Sequence, residues 1–452
     1  MRMTEPSLPF DMPLVEAPSF PDRIFDVQHF GAVGDGITVN TQAFRRAIEA
    51  CHDGGGGIVL IPAGTWLTGP IHLRSSVHLC LERDALVRFS GRFADYLPAV
   101  FTRWEGVECY NYSPLIYARD CENIAVTGEG AFDGQGETWW HWKKLQQAAA
   151  KTLYDAEFDG VPVEKRVYGT EEAALRPQFL QSICCRNVLV EGVTFLNGPM
   201  WTIHPVYCEN VLVRNVTVQT TGPNTDGLNP DSCCNVLVEG CSFSTGDDCV
   251  AINSGMNEDG WRVGRPCENV VIRNCHMSEG HGAVAIGSGM SGGIRNVYVS
   301  DCRFTGGDQG IRLKSMRGRG GFVENVYLEN IRMAGLRREA IVLNMFYGSS
   351  TAAPRSGAPP VFRNIRIKNV TCESAGVAVA IRGLPEQPIE RVALDNLHLN
   401  TVEGIRCQDA DDLTLSNVSG VVQEEPLFSC SNIRGLNVTN MTLKSPKRRS
   451  NL

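Results

Sequence analysis

From residue 187 onward the chain repeats one short pattern, Asn-φ-x-φ-x-(Gly/Asn)-φ-x-φ, in which φ is apolar. It reads Asn187-Val-Leu-Val-Glu-Gly-Val-Thr-Phe195 and recurs, with some positions varied, from Asn210, Asn235, Asn269, Asn296, Asn325 and Asn364. Weaker copies begin at Arg391, Asp412 and Gly435, and an earlier one with an extra residue begins at Asn123. Alternation with period two predicts a strand with one buried face, and puts Glu191, Arg214, Glu239 and Arg273 in solvent. Single strands that recur at roughly 20 to 40 residues, with loops of variable length between them, predict stacked coils rather than hairpins. The expected fold is an all-β, single-stranded parallel β-helix, a solenoid of about ten coils. The recurring Asn supports this, because Asn tolerates a left-handed bend and stacked side-chain amides can bond along the stack.

Three regions depart from that rhythm. Asn40 to Cys51 has helical spacing at Phe44, Ile48 and Cys51 and ends in the Gly54–Gly57 run, which predicts a helix capping one end of the solenoid. The glycine run lacks the Lys-Ser/Thr of a phosphate loop and is read as a turn. Residues 1–60 are thus expected to be an N-terminal extension and cap. Residues 134–180, with Trp139-Trp140-His141-Trp142-Lys143-Lys144, and residues 343–362, which contain Asn344-Met-Phe-Tyr347, are expected to be inserted loops near a cleft. The tryptophans are read as packing residues rather than sugar platforms. No linker marks a second domain, so 1–452 is read as one.

Composition narrows the class. The chain has 452 residues, 43% hydrophobic and 20% charged, an ordinary globular balance. Its net charge of −8 argues against nucleic acid or an anionic membrane as partner. No apolar run is long enough to span a bilayer, and Met1-Arg-Met-Thr-Glu-Pro-Ser-Leu-Pro lacks an apolar stretch after its positive charge, so a cytoplasmic location is expected. The 17 cysteines suit disulfides badly. Cys241, Cys275 and Cys302 take a repeat position filled elsewhere by Val193 or Val216, and Cys121, Cys185, Cys208, Cys233 and Cys267 sit two residues before a repeat Asn or its equivalent. Both sets are read as core columns. With no Cys-x-x-Cys pair, no metal or cofactor is expected.

Four polar clusters follow successive repeats: Asn224-Thr-Asp226-Gly, Gly246-Asp247-Asp248, Gly280-His281-Gly282 and Arg312-Leu-Lys314. Each lies 12 or 16 residues after its repeat Asn, so stacking would bring them together at the strand spacing of about 4.8 Å. Glycoside hydrolysis needs one carboxylic acid to protonate the departing oxygen and a carboxylate to activate water or attack carbon; inverting enzymes hold the two roughly 6.5–9.5 Å apart. Asp226 on one coil and Asp247 with Asp248 on the next could supply them, and crowding should keep one protonated. Arg312 and Lys314, two apart on a strand, share a face and suit a substrate carboxylate.

These four motifs in this order, with Phe30-Gly-Ala-Val-Gly-Asp-Gly36 near the start, resemble the polygalacturonases of the pectin-hydrolysing glycosidase family, which includes rhamnogalacturonan and xylogalacturonan hydrolases. The similarity extends through most of the chain to about residue 345. It implies a right-handed β-helix and hydrolysis of α-1,4-linked galacturonate with inversion. It also implies that Asp247 is the general acid, that Asp226 and Asp248 activate water, and that His281 supports the acid's protonation. Asn224, Arg312 and Lys314 would bind substrate. Trp201-Thr-Ile-His204-Pro205 and Gly383-Leu-Pro-Glu386 resemble bacterial exo-acting members most. Trp201 and His204 lie one coil before Asp226, where they either border the sugar or pack in the core or stack, and Tyr347 of the second insertion is a further substrate-contact candidate. The expected partner is a galacturonate oligosaccharide or pectin. The alternatives are hydrolysis of another pectic linkage, elimination by a lyase, or carbohydrate binding without catalysis.

Overall fold

The computed structural model describes residues 8–348 and 357–446. The chain winds through a right-handed parallel β-helix, each coil laying short strands on the same faces as the coil before it. The repeat forms one face: Arg186–Glu191, Glu209–Arg214, Cys234–Glu239, Cys267–Arg273 and Ile294–Ser300 pair in parallel, followed by the start of Phe322–Ala334 and of Val361–Arg382. Its register aligns Val188, Val211, Val236, Val270, Val297, Val326 and Ile365, all buried. A second face carries Thr194–Leu196, Thr217–Gln219, Ser242–Ser244, His276–Glu279 and Arg303–Thr305. A third carries Val250–Ile252, Gly282–Ile286, Gln309–Lys314 and Glu339–Asn344.

Each repeat Asn sits at the bend into the first face with φ of 55–58°. Its side-chain amide donates to the Asn one coil back: Asn210 to Asn187 (3.1 Å), Asn235 to Asn210 (3.1 Å), Asn269 to Asn235 (3.0 Å) and Asn296 to Asn269 (3.0 Å). The left-handed bend costs an L-residue roughly 1–2 kcal/mol, less for Asn, and the amide bond offsets part of that. Where the repeat weakens, Arg391, Asp412 and Gly435 keep the bend (φ 52°, 54° and 68°). The cysteine columns fall inside the coil as expected; Cys185, Cys208, Cys233 and Cys267 are buried, as are Cys241, Cys275 and Cys302, and all 17 cysteines are free thiols.

The stack begins earlier than the repeat suggests. Ile24–Asp26, Gly57–Ile61 and Val77–Leu81 are already parallel strands beneath Glu122–Gly128, so residues 1–60 are not only extension and cap. Glycine and serine make the bends before the latter two strands (Gly56 φ 96°, Ser76 φ 62°), which hid these coils from an Asn pattern. The helix Thr41–Asp53 caps this end with Phe44, Ile48 and Cys51 buried. Residues ahead of the first strand run along the outside of the first face: Phe20 meets His78, Val15 packs on Leu189 and Leu212, and Phe10 faces Tyr327.

The insertion at 134–180 folds into the helices Glu137–Trp140, Trp142–Leu145 and Gln147–Phe158. Trp139 and Trp142 are buried against Phe93 and Tyr112, as packing residues should be. An antiparallel hairpin, Val100–Trp104 with Val107–Asn111, lies beside this insertion. Of the second insertion, 349–356 lie outside the described residues.

Candidate active site

The register of the third face brings the polar clusters together. Leu228, Val250, Val284 and Ile311 align across four coils. Two residues before the first three stand Asp226, Asp248 and Gly282, so these stack as well; the Gly227 amide donates to the Asp248 carbonyl (3.0 Å) and the Cys249 amide to that of Gly282 (2.8 Å). Asp247 and His281 form the adjacent column, the His281 amide donating to the Asp247 carbonyl (2.9 Å). One carboxylate oxygen from each of Asp226, Asp247 and Asp248 lies within 4.8 Å of the others.

Asp248 accepts from Arg312 Nη1 at Oδ1 (2.9 Å) and from Lys314 Nζ at Oδ2 (2.6 Å), and its side chain is almost wholly buried. The Arg312 contact reaches across an intervening coil whose residue there is Gly282. A Cβ on Gly282 would come within 2.8 Å of Asp248 Oδ1 and 3.1 Å of Arg312 Cδ. The glycine is required for space, not for its torsion. Both cations also face the Tyr347 ring, at 5.7 and 5.2 Å from its centroid.

The three carboxylates have separate environments. Asp226 is 4% exposed; burial, then the charges of Asp247 and Asp248, push its carboxyl well above the usual range, so the proton of the free trio rests there. Its Oδ2 accepts from Asn229 (2.9 Å) and its Oδ1 has no protein partner. Burial also pushes Asp247 up, but His281, Lys314 and Arg312 together outweigh it and hold Asp247 below its ordinary value. His281 Nδ1 meets Asp247 Oδ1 at 3.0 Å, and that bond raises the imidazole against the opposing effect of burial. Asn224 donates to Asp247 Oδ2 (3.3 Å) and accepts from Arg176 Nη2 (2.8 Å). Arg176 is fully buried, and burial pushes it down to about 10.

A cavity of about 400 Å³ opens over the trio, with Asn224, Trp201, Lys314 and Tyr347 among its walls. Its lining also includes the hairpin tip Glu105-Gly106, Lys143 and Tyr154 of the helical insertion, and Asn257 and Arg319. The hairpin is tied to the solenoid by buried groups: Arg103 Nη1 meets Asp231 Oδ1 at 2.9 Å, and Thr102 donates to Gln181 (2.6 Å).

Most of the residues singled out by sequence therefore meet at one place. Asp226, Asp247, Asp248, Asn224, Lys314, Trp201 and Tyr347 line the cavity, while His281 and Arg312 touch its carboxylates. His204 does not belong with them. It is fully buried beneath the hairpin, bonded to Gln181 (2.9 Å) and 3.5 Å from Asp231, because the hairpin covers the coil that carries it. The sequence reading also missed Arg176, Arg319 and the hairpin. The hairpin had a signal: Glu105-Gly106 between alternating runs, with φ of 44° and 89°, is a two-residue turn of the kind that needs both torsions positive.

Comparisons with known proteins give the family. Residues 163–419 match the family model for glycosyl hydrolases family 28, and residues 24–80 match one for rhamnogalacturonase A/epimerase, pectate lyase-like proteins. A probable polygalacturonase of Vitis vinifera is 33% identical, covering 82% of this chain and 73% of its own. The structure of a hyperthermoactive exopolygalacturonase from Thermotoga maritima superposes with a TM-score of 0.84 at 38% identity over 94% of each chain. A family 28 exopolygalacturonase from Yersinia enterocolitica gives 0.78 at 26% identity over 92% of this chain and 78% of that one.

Proposed function

The chain belongs to glycosyl hydrolases family 28, and on that premise we propose that it hydrolyses α-1,4-linked galacturonate from the end of oligogalacturonate or polygalacturonate chains, with inversion. The observation that carries the exo mode is the likeness to exo-acting family 28 enzymes, with the exopolygalacturonase from Thermotoga maritima 38% identical over 94% of each chain. Glu105-Gly106 of the hairpin and Lys143 and Tyr154 of the helical insertion line the same cavity as the aspartates, so these added elements border the substrate site.

Asp247 serves as general acid. It contacts the cavity and is bonded to His281, whose imidazole holds its proton more tightly for that contact and can recharge the acid. Asp226 and Asp248 activate the water. Arg312 and Lys314 hold both oxygens of Asp248 and fix its orientation, and Asp226, whose Oδ1 has no protein partner, accepts the water's proton once the trio's own proton has moved to Asp247. Three carboxylates this close cannot all ionise, so the acid and base forms interconvert within one cluster.

One observation favours a second reading of the stereochemistry. Carboxylate oxygens within 4.8 Å are nearer the spacing of retaining enzymes, roughly 5–5.5 Å, than that of inverting ones. Against it, both Asp248 oxygens are held by cations, which leaves Asp248 a poor nucleophile. Digestion of a defined galacturonate oligomer decides both points. The expected products are monomer and the oligomer shortened by one unit, with the inverted anomer seen first by proton NMR. Mixed mid-length products would overturn the exo mode, and an unsaturated product absorbing in the ultraviolet would mean elimination.

The columns of adjacent thiols support a reducing compartment for the reaction, since oxidising compartments favour disulfides. Thiol titration of the denatured protein, isolated without reductant, should find nearly all of them free.

A further inference from the structure

One buried cation behind the site bonds only neutral oxygens and has no task in the reaction proposed above. Arg176, fully buried, stands on the stretch that leads from the helical insertion back to Leu180–Ile183. Its Nε donates to Gln146 Oε1 (3.0 Å), its Nη1 to the carbonyls of Pro199 (3.1 Å) and Pro223 (2.6 Å), and its Nη2 to Asn224 Oδ1 (2.8 Å). Burying a guanidinium without a bonded counter-ion is costly. Burial lowers Arg176 only to about 10, with the charges of Glu105 and Asp247 opposing the shift, so it stays charged at neutral pH.

The guanidinium decides how Asn224 sits. A primary amide has one accepting end and one donating end, and a guanidinium only donates. With Oδ1 turned to Arg176, Nδ2 is turned the other way, where it donates to Asp247 Oδ2 (3.3 Å). The reversed amide would set its NH2 against a cation and its oxygen against a carboxylate, so both ends oppose the flip. Arg176 also grips the carbonyl of Pro223, the residue just before Asn224, which fixes main chain and side chain from one point. Asp247 is thereby held on both sides, at Oδ1 by His281 (3.0 Å) and at Oδ2 by an amide whose direction depends on Arg176. Arg176 itself lies outside the cavity lining.

We propose that Arg176 is a positioning residue for the general acid: through the amide of Asn224 it holds the Asp247 carboxylate in the orientation that protonates the leaving oxygen. This rests on the reading of Asp247 as general acid given above. The bond to Gln146, the residue before helix Gln147–Phe158, ties the same guanidinium to the insertion.

The test compares the full-length native protein with Arg176→Met, Arg176→Lys, Asn224→Ala and the two double variants on a galacturonate oligomer, with melting curves reporting folding. Arg176→Met should lower kcat roughly 10- to 100-fold, the scale of a small misplacement, with KM near native. Arg176→Lys should recover part of the loss, since an ammonium keeps the charge but cannot span all four oxygens. The decisive comparison is made in Asn224→Ala, where Arg176→Met should lower kcat by no more than about 2-fold further. Native kcat in folded Arg176→Met overturns the proposal. So does an equal loss in both backgrounds, which is what a purely structural role gives. If Arg176→Met does not fold, Arg176→Lys carries the same comparison.

A second readout needs no turnover. Carboxyl carbon-13 NMR, with Asp247 assigned through Asp247→Asn, follows its titration among the charges that face it: Asp226, Asp248, His281, Arg312 and Lys314. Loss of the cation behind Asn224 should move Asp247 to higher pH in Arg176→Met and leave it near native in Arg176→Lys. If the native protein hydrolyses no galacturonan but Asp247 moves in this way, the proposed reaction falls and the positioning stands. If it hydrolyses galacturonan while neither kcat nor the titration changes, the reaction stands and the positioning falls.

Discussion

Two edges of the same coils follow opposite rules. At the bend into the first face, successive coils place the same residue in the same torsion with the same bond, Asn to Asn. At the bend into the third face the residues change from coil to coil: Thr225-Asp226, then Asp247-Asp248, then His281-Gly282, then Asp308-Gln309, with Arg312 three residues further along that last strand. The uniform edge makes the varied one useful. Each amide link fixes the spacing and register of a coil, so a side chain placed one coil on arrives about one strand spacing away. Chemistry at the second edge can then be composed coil by coil, without each coil having to secure its own position.

That contrast predicts that the two edges fail differently. The largest effect belongs to the varied edge. Asp247→Asn should lower kcat by about 10²–10⁴-fold, the usual worth of general acid catalysis, while the urea midpoint stays near that of the native protein. Residual activity above about a tenth would remove Asp247 from the acid's role.

Gly282→Ala is the sharper probe, because it adds one methyl to the space that lets Arg312 reach Asp248. Loss of a charged hydrogen bond, of order 1.5–3 kcal/mol, should cut kcat/KM roughly 10- to 100-fold with the fold intact. Unchanged kinetics would mean the Arg312–Asp248 pair does not matter to turnover.

On the uniform edge, Asn269→Ala should destabilise by about 2 kcal/mol, from the left-handed torsion and the lost amide bonds, with kcat close to native. Asn269→Gly keeps the torsion and should cost less. If Asn269→Ala lowers kcat as much as stability, the division between edges is wrong.

The smallest effect crosses the divide. Asp226 has a raised folded pKa, so the native state holds its proton more tightly than the unfolded chain does. The stability this contributes is complete below the unfolded value, near 3.8, and is lost as pH rises through the folded value. Asp226→Asn mimics the protonated form at every pH. It should therefore be inactive yet melt higher than the native protein at alkaline pH, the difference shrinking toward pH 4. A difference independent of pH would mean Asp226 is not the proton holder.

What could be read from sequence follows the same divide. The Asn pattern disclosed the solenoid, its register and the polar clusters that meet at one cavity, because each cluster lies 12 or 16 residues after a repeat Asn. The first coils escaped because their bends use Gly56 and Ser76, residues that take the torsion without leaving a pattern. His204 lies one coil before Asp226, a position that suits the cleft or the core alike, and the hairpin folded down from a distant segment decides for burial. The engagement of Arg312 and Lys314 by Asp248 was hidden for a related reason. Spacing shows that two side chains share a face, but not which neighbour one coil away will claim them.

The segment outside the first face has a mechanical meaning. A stack in which every coil holds only its neighbours resembles a spring that can gap at any joint. Residues 8–20 lie along that spring, touching the coil of His78 at one end and that of Tyr327 at the other. Prising two coils apart anywhere between must stretch or peel this apolar cord as well as break a joint. Strain at one joint is thereby shared among many, and the cavity, whose walls come from coils spanned by the cord, is braced against flexing along the helix axis.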